Sequence, residues 1–405
     1  MRSKYMKIVK NFVLNFMSYA LPTFFLQFVV QPIIARRLGS EANGQYLALM
    51  SLNYYIIAVT ASVLNTVRML QNEKYKQNKL VGDFNIFYLA YVLIVMILFP
   101  LGYVLLTGKA DLIDVVLYVL IGFLYLFHDY IFAQYRLELN FRKILINNII
   151  LVIGYAVGTI LFLYIFGKWQ IIIICAYLFG AIYDFNNTSF MKEPIKRTPL
   201  FEETSKKIGS LTCSNALSNS VSYIDKLLLY PLLGGTHVSI YNTASLVGKM
   251  LILISGPLNS FALSYLVKMK TLKAKVSKKQ VLLILCILTA AYIACVCVGH
   301  PLTGFLYPEW AKESQKLIPV TVAASLFTLV GNLLNTIVIR FYKTTYQIIV
   351  QAFNLFLYLV VSVIMLKIWG LMGFCIGIAV TAFIKMIMLC ILIFKIPVNS
   401  QERET

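Results

Sequence analysis

The sequence predicts an all-α polytopic membrane protein of about twelve transmembrane helices, in two six-helix bundles related by a pseudo-two-fold axis along the membrane normal. Three observations carry this. Of 405 residues, 60% are hydrophobic and 13% charged, with a mean hydropathy of +0.80. Soluble domains hold roughly 45–50% apolar and about 25% charged residues. The apolar residues come in stretches of about 20, the length of one helical crossing. Positions in the first half also recur at fixed spacing in the second. This composition excludes a secreted globular enzyme, a disordered chain and a nucleic-acid-binding domain.

The elements follow in order. Met1 to Lys10 is basic, and the next stretch lacks the short apolar core and small-residue cleavage site of a signal peptide. It reads as a retained first span, 11–35. Spans at 44–66, 84–107 and 112–134 are separated by charged or glycine-containing connections. Spans 145–167 and 169–190 are divided only by Gly167-Lys168-Trp169. Then come 208–233, 238–266, 280–305 and 314–339. The last pair, 345–366 and 371–394, is divided only by Lys367-Ile368-Trp369-Gly370. If each close pair is one re-entrant unit, the count falls to ten.

Positive charge sets the orientation. With twelve spans, one set of connections, including both tails, holds 26 Lys/Arg and the other holds 7. The remaining 3, Lys226, Lys249 and Lys385, lie inside spans. Both termini are therefore expected in the cytoplasm, and the net charge of +20 is a topology signal rather than a nucleic-acid signal. Connections on the other side are short and leave no room for an external catalytic domain. The longest cytoplasmic connection, 191–207, carries Pro194, Pro199 and eight charged residues. It reads as the linker between an N-terminal bundle, 1–190, and a C-terminal bundle, 208–405.

The halves resemble each other. Leu38-Gly39 followed by Tyr46 matches Leu233-Gly234 followed by Tyr241 at identical spacing, and the turn at Trp169 recurs at Trp369. A parallel repeat of this kind puts a substrate path between its halves.

Polar stripes at helical spacing mark the first two spans of each half. They run through Gln27 in span 1, Ser62 in span 2, Asn219 and Ser222 in span 7, and Asn242 and Ser245 in span 8. A single stripe fits interhelical hydrogen bonding. Four at equivalent positions favour the lining of a polar cavity. Ionisable groups within spans are a sharper signal, because a charge at the bilayer centre costs roughly 2.5–3.5 kcal/mol on insertion scales. Asp225, Lys226 and Lys249 fall at similar depth, as an anion site or as an Asp225–Lys249 pair with Lys226 snorkelling outward. His128-Asp129 is a weak relay signal, because neighbouring side chains on a helix diverge by about 100°. Asp184 is expected at the interface. No phosphate-binding loop, metal-ligand cluster or nucleophile elbow is present, and no CxxC pair occurs among the seven cysteines, so no cofactor, metal or enzymatic activity is expected.

Ala35-Arg36, Leu38-Gly39, Glu41 and Gly44-x-Tyr46, with Tyr223-Ile224-Asp225-Lys226, Leu233-Gly234, Tyr241 and Lys249, resemble the Wzx-type O-antigen and polysaccharide flippases of the multidrug/oligosaccharidyl-lipid/polysaccharide exporter superfamily. Val238-Ser239 departs from the pattern, since a glycine commonly precedes that tyrosine. The resemblance implies two six-helix bundles in a V around a cationic cavity. It implies translocation of an undecaprenyl-pyrophosphate-linked oligosaccharide by alternating access in the bacterial inner membrane, for lipopolysaccharide or other polysaccharide synthesis. A polysaccharide polymerase and a chain-length regulator are the implied partners. Arg36, Arg68, Lys226 and Lys249 are then the candidate substrate-binding cations, and Asp225 and Asp129 the candidates for coupling or charge balance. Rival readings are a multidrug exporter of the same superfamily and a non-transporting scaffold of polysaccharide assembly.

Overall fold

The computed structural model describes residues 17–18, 20–266, 278–342 and 344–395. Both tails, Asn15, Tyr19, Lys343 and nearly all of the 267–279 connection lie outside the described residues. Among the described residues every regular element is helical. A π-turn, Leu26–Val30, leads into α1 (Gln31–Val59), followed by α2 (Ala61–Gln77), α3 (Asp83–Thr107), α4 (Leu112–Leu137), α5 (Phe141–Leu161) and α6 (Gln170–Asn187). Then come α7 (Phe201–Leu233), α8 (Gly235–Leu266), α9 (Lys278–Leu306), α10 (Ala311–Phe341) and α11 (Thr344–Lys395).

Seven helical stretches among the described residues are long and apolar enough to cross a membrane. Two of them, Ala20–Gln77 and Tyr346–Ile393, have 58 and 48 residues. At about 1.5 Å per residue they reach about 87 and about 72 Å, more than twice a ~30 Å hydrocarbon core. Each is broken inside. Gly39 takes φ 76°, ψ 174° within α1, and Trp369 and Gly370 leave helical space within α11. The close pairs are helical hairpins. A Cβ on Gly154 would sit 2.6 Å from Ala176 Cα, and one on Gly158 2.7 Å from Ile172 Cα. The numbers rise on one arm as they fall on the other, so α5 and α6 are antiparallel. In α11, Gly373 and Gly377 meet Met365 and Ser362 in the same way, at 2.0 and 2.8 Å. Both hairpins thus use a Gly-xxx-Gly face for close backbone approach.

The sequence repeat has a structural counterpart. Gly234 takes φ 84°, ψ 175°, nearly the conformation of Gly39. Tyr118 of α4 donates to the Leu49 carbonyl at 2.7 Å, and Thr321 of α10 donates to the carbonyl of Ala244, the residue in the same register, at 2.8 Å. Tyr46 packs edge-on to Trp169 at 4.9 Å, and Tyr241 edge-on to Phe374 at 5.8 Å. Each tyrosine therefore meets an aromatic ring near the turn of a later hairpin.

The described residues form two compact units, one ending at Thr236 and the other beginning at His237. This seam lies one helix later than the 191–207 connection, because that connection is fastened down. Asp83 accepts from the Thr198 amide at 2.8 Å, and Asn85 donates to the carbonyls of Phe190 and Glu193 at 3.0 and 2.9 Å. Phe201 stacks on Phe87 at 4.9 Å. The helix α7 starts at Phe201, earlier than the expected 208, because Glu202 and Glu203 favour a helix N-terminus and pair with Lys206 and Lys207 one turn on.

Candidate functional site

The interior of the first unit is organised by α4. His128 and Asp129 are sequence neighbours that face different helices. Ser62 of α2 donates to Asp129 Oδ2 at 2.8 Å, and Asn65 of α2 donates to the Asp129 carbonyl at 2.9 Å. His128 turns towards α6, where its Nδ1 lies 3.7 Å from Asp184 Oδ2. Asp184 is fully buried. Its Oδ1 accepts from Tyr135 of α4 at 2.8 Å and from Asn147 of α5 at 2.6 Å. Rings continue from here. Tyr177 lies 5.1 Å from His128 and stacks on Tyr125 at 3.8 Å, Tyr125 meets Tyr54 at 5.8 Å, and Tyr54 meets Tyr223 of α7 at 6.2 Å.

The two glycine turns of the repeat meet each other. Glu41 accepts from the Gly235 amide at 2.9 Å and from the Thr236 amide at 2.8 Å, so its carboxylate caps the start of α8. Ser40 and Thr236 share a hydroxyl hydrogen bond at 3.0 Å. Under the repeat spacing, Ser40 corresponds to Gly235 and Glu41 to Thr236. The contacts Ser40–Thr236 and Glu41–Gly235 therefore exchange with each other under the repeat spacing. Gly44 stands where its Cβ would fall 1.9 Å from the Gly235 carbonyl oxygen, so only glycine admits this approach.

Among the expected cations, Arg36 is exposed next to this turn. Arg68 is buried. Its guanidinium is paired with Glu193, donates to Tyr130, and lies 3.2 Å from the centroid of the Phe190 ring. It anchors the 191–207 connection rather than presenting a free charge. Burial pushes the Glu193 carboxyl above the usual carboxylate range, against the pull of Arg68. Lys226 is half-buried, and its amide donates to the buried Asp225 carboxylate at 2.8 Å. In the second unit, Lys249 Nζ lies 5.2 Å from the centroid of the Tyr241 ring.

The expected polar lining separates into groups. Ser62 is engaged with Asp129. Gln27 sits in the π-turn with a buried Oε1 that has no hydrogen-bond partner. Asn219 donates back to the Asn215 carbonyl at 3.0 Å, and Ser222 is exposed. Asn242 and Ser245 are buried, Ser245 donating to the Asn242 carbonyl at 3.1 Å. The opposite face of α8 is held to α10 by Trp310 donating to Thr243 at 2.9 Å and by Ser314 donating to the Ile240 carbonyl at 3.1 Å. Sequence reasoning missed the His128–Asp184 approach and the capping role of Glu41. Glu41 carried a readable signal, a lone carboxylate two residues after a repeat glycine. The pairing of α4 with α6 is long-range and carried none.

No protein-family model matches the sequence, and neither does the sequence of any curated protein. Solved structures do match. The lipid II flippase MurJ in an inward closed conformation aligns over 97% of this chain and 89% of its own, with a TM-score of 0.68 and 13% identity. An inward-facing multidrug resistance MATE family transporter of the MOP superfamily aligns over 94% of this chain and 98% of its own, at 0.66 and 16% identity. A eukaryotic MATE transporter covers 98% of each chain at 0.63 and 14% identity. The chain is a multi-pass, all-helical membrane protein that shares the fold of these solved transporters.

Proposed function

We propose that this chain is a Wzx-type flippase. It moves an undecaprenyl-pyrophosphate-linked O-antigen or other polysaccharide repeat unit across the bacterial cytoplasmic membrane by alternating access, with both termini inside. The observation that carries this reading is the charge of the second half. From His237 to Ser400 the only acidic residues are Glu309 and Glu313, at the start of α10. Lys249 and Lys385 lie within helical spans of that half. Lysines embedded among apolar residues with no carboxylate nearby in sequence are costly unless they meet water or an anion, and a diphosphate headgroup is such an anion.

The headgroup problem sets the mechanism. A charged, hydroxyl-rich saccharide cannot cross hydrocarbon unaided, whereas its polyprenyl tail is at home there. Lys226, Lys249 and Arg36 would steer the diphosphate, with Asp225 setting the local balance. Arg68, being tied to Glu193, is better suited to bracing the cytoplasmic connection. A multidrug exporter of the same fold would call for an aromatic and carboxylate-rich cavity rather than a lysine-rich one. A polymerase and a chain-length regulator acting on the delivered units complete the proposal.

The test is complementation of a flippase-deficient cell. Lys249→Ala is expected to abolish surface polysaccharide at normal membrane abundance, and Lys249→Arg to retain part of it, since the charge stays but the geometry changes. Full display from Lys249→Ala would sink the basic-site mechanism.

A further inference from the structure

The His128–Asp184 approach is not used by the mechanism above. Asp184 has one oxygen doubly satisfied, by Tyr135 and Asn147, while Oδ2 is buried without a hydrogen-bond partner. His128 Nδ1, also buried, lacks a partner too. The two atoms face each other at 3.7 Å. That is beyond hydrogen-bonding distance, yet less than 1 Å of movement would close it. Leaving both unsatisfied in a low-dielectric interior is expensive.

We propose that His128 and Asp184 form a single-proton site, entered from the end of the membrane where α6 meets the 191–207 connection, and that filling it couples transport to a proton gradient. Coupling rests on the flippase reading; the site itself does not. A hydronium ion at the membrane surface gives up one O–H bond: its proton joins the Nδ1 lone pair, neutral water leaves, and the new N–H donates to Oδ2. The net charge of the pair goes from −1 to zero.

The surroundings favour one proton rather than a larger ligand. On α4 the site faces Tyr135, with Asp129 at the next position and Glu138 at the helix end. From α6 it faces Tyr177 and Tyr183. From α5, Lys143 lies 5.7 Å from the Tyr135 ring and donates to the Asn187 carbonyl at 3.4 Å. Asp184 lies three residues before the end of α6, within reach of the connection. The proton state also has a route outward. Asp129, next on α4, holds α2 through Ser62 and Asn65, and the Tyr177–Tyr125–Tyr54–Tyr223 rings lead to α7.

Infrared pH titration of the protein in lipid vesicles reads the site directly. One carboxylate–imidazole transition is expected in the wild type and in Asp129→Asn. It should be lost in both Asp184→Asn and His128→Gln, which keep size and polarity. A transition that survives both changes, or is lost only in Asp129→Asn, overturns the site. In the same vesicles, a fluorescent short-chain polyprenyl diphosphate disaccharide reports translocation. A pH gradient should raise the wild-type rate about fivefold or more and leave Asp184→Asn unresponsive. A wild-type rate that follows sodium instead, or an Asp184→Asn rate that still follows pH, overturns the coupling. Absence of translocation in every variant, with the titration intact, sinks the flippase reading and leaves the proton site standing.

Discussion

Arg68 shows what one residue does when its surroundings, not its type, decide its role. As a sequence it is a basic residue at the end of a polar stripe and reads as a guide for an anion. Folded, it lies under Phe190, hydrogen-bonded to Tyr130 and paired with Glu193. None of these partners is within 60 residues of it in the chain, so no local pattern announces them. Removing one member of a buried pair strands the other, at roughly 3–5 kcal/mol. Glu193 keeps some solvent contact, which places the effect near the low end. Arg68→Ala is therefore expected to lower membrane abundance and the thermal midpoint, whereas Arg36→Ala, at an exposed position, should leave both unchanged. An Arg68→Ala protein of normal stability but weak transport would return Arg68 to the substrate path.

At the scale of elements, glycine spacing was the most legible signal and long-range polar pairing the least. The repeat glycines Gly39 and Gly234 were visible because a backbone with φ near +80° and extended ψ is essentially open only to glycine. The hairpin faces at Gly154/Gly158 and Gly373/Gly377 were equally present in the sequence, but their partners were not. Helix ends were harder to read. The chain stays helical to Gln77 although charges begin at Arg68, because that arginine is buried. These positions separate two kinds of strain. Gly39→Ala has open space around it, so its cost is conformational alone, about 1–3 kcal/mol. Gly44→Ala instead puts a methyl into the Gly235 carbonyl and has to force the turns apart. Cysteine pairs at Ser40 and Thr236 report the difference: cross-linking should persist in Gly39→Ala and fall severalfold in Gly44→Ala. Equal cross-linking in both would show that the close approach at Gly44 does not hold the turns together.

For the whole molecule, the fold class followed from composition and span length, which are properties of the bilayer as much as of the chain. The functional class needed more. Charge placement in the second half carries the proposed flippase reading, while the sugar such a protein would carry leaves no mark that a single sequence exposes. Orientation decides depth and proton entry, and it has a direct test. Lys/Arg number 26 on one set of connections and 7 on the other, and such a bias over short loops sets the side that stays in the cytoplasm. Alkaline phosphatase is active only after export. Fused after residue 200, within the fastened connection, it should be inactive. Fused after Lys312, at the start of α10, it should be active. The two sites are separated by α7, α8 and α9, which the twelve-span reading counts as three crossings, so on that reading the two fusions must disagree whichever way the protein sits. Agreement between them would refute the span count through this region. The opposite pattern would keep the count but invert the molecule, placing the Glu41 contact at the inner face and the His128–Asp184 site at the outer.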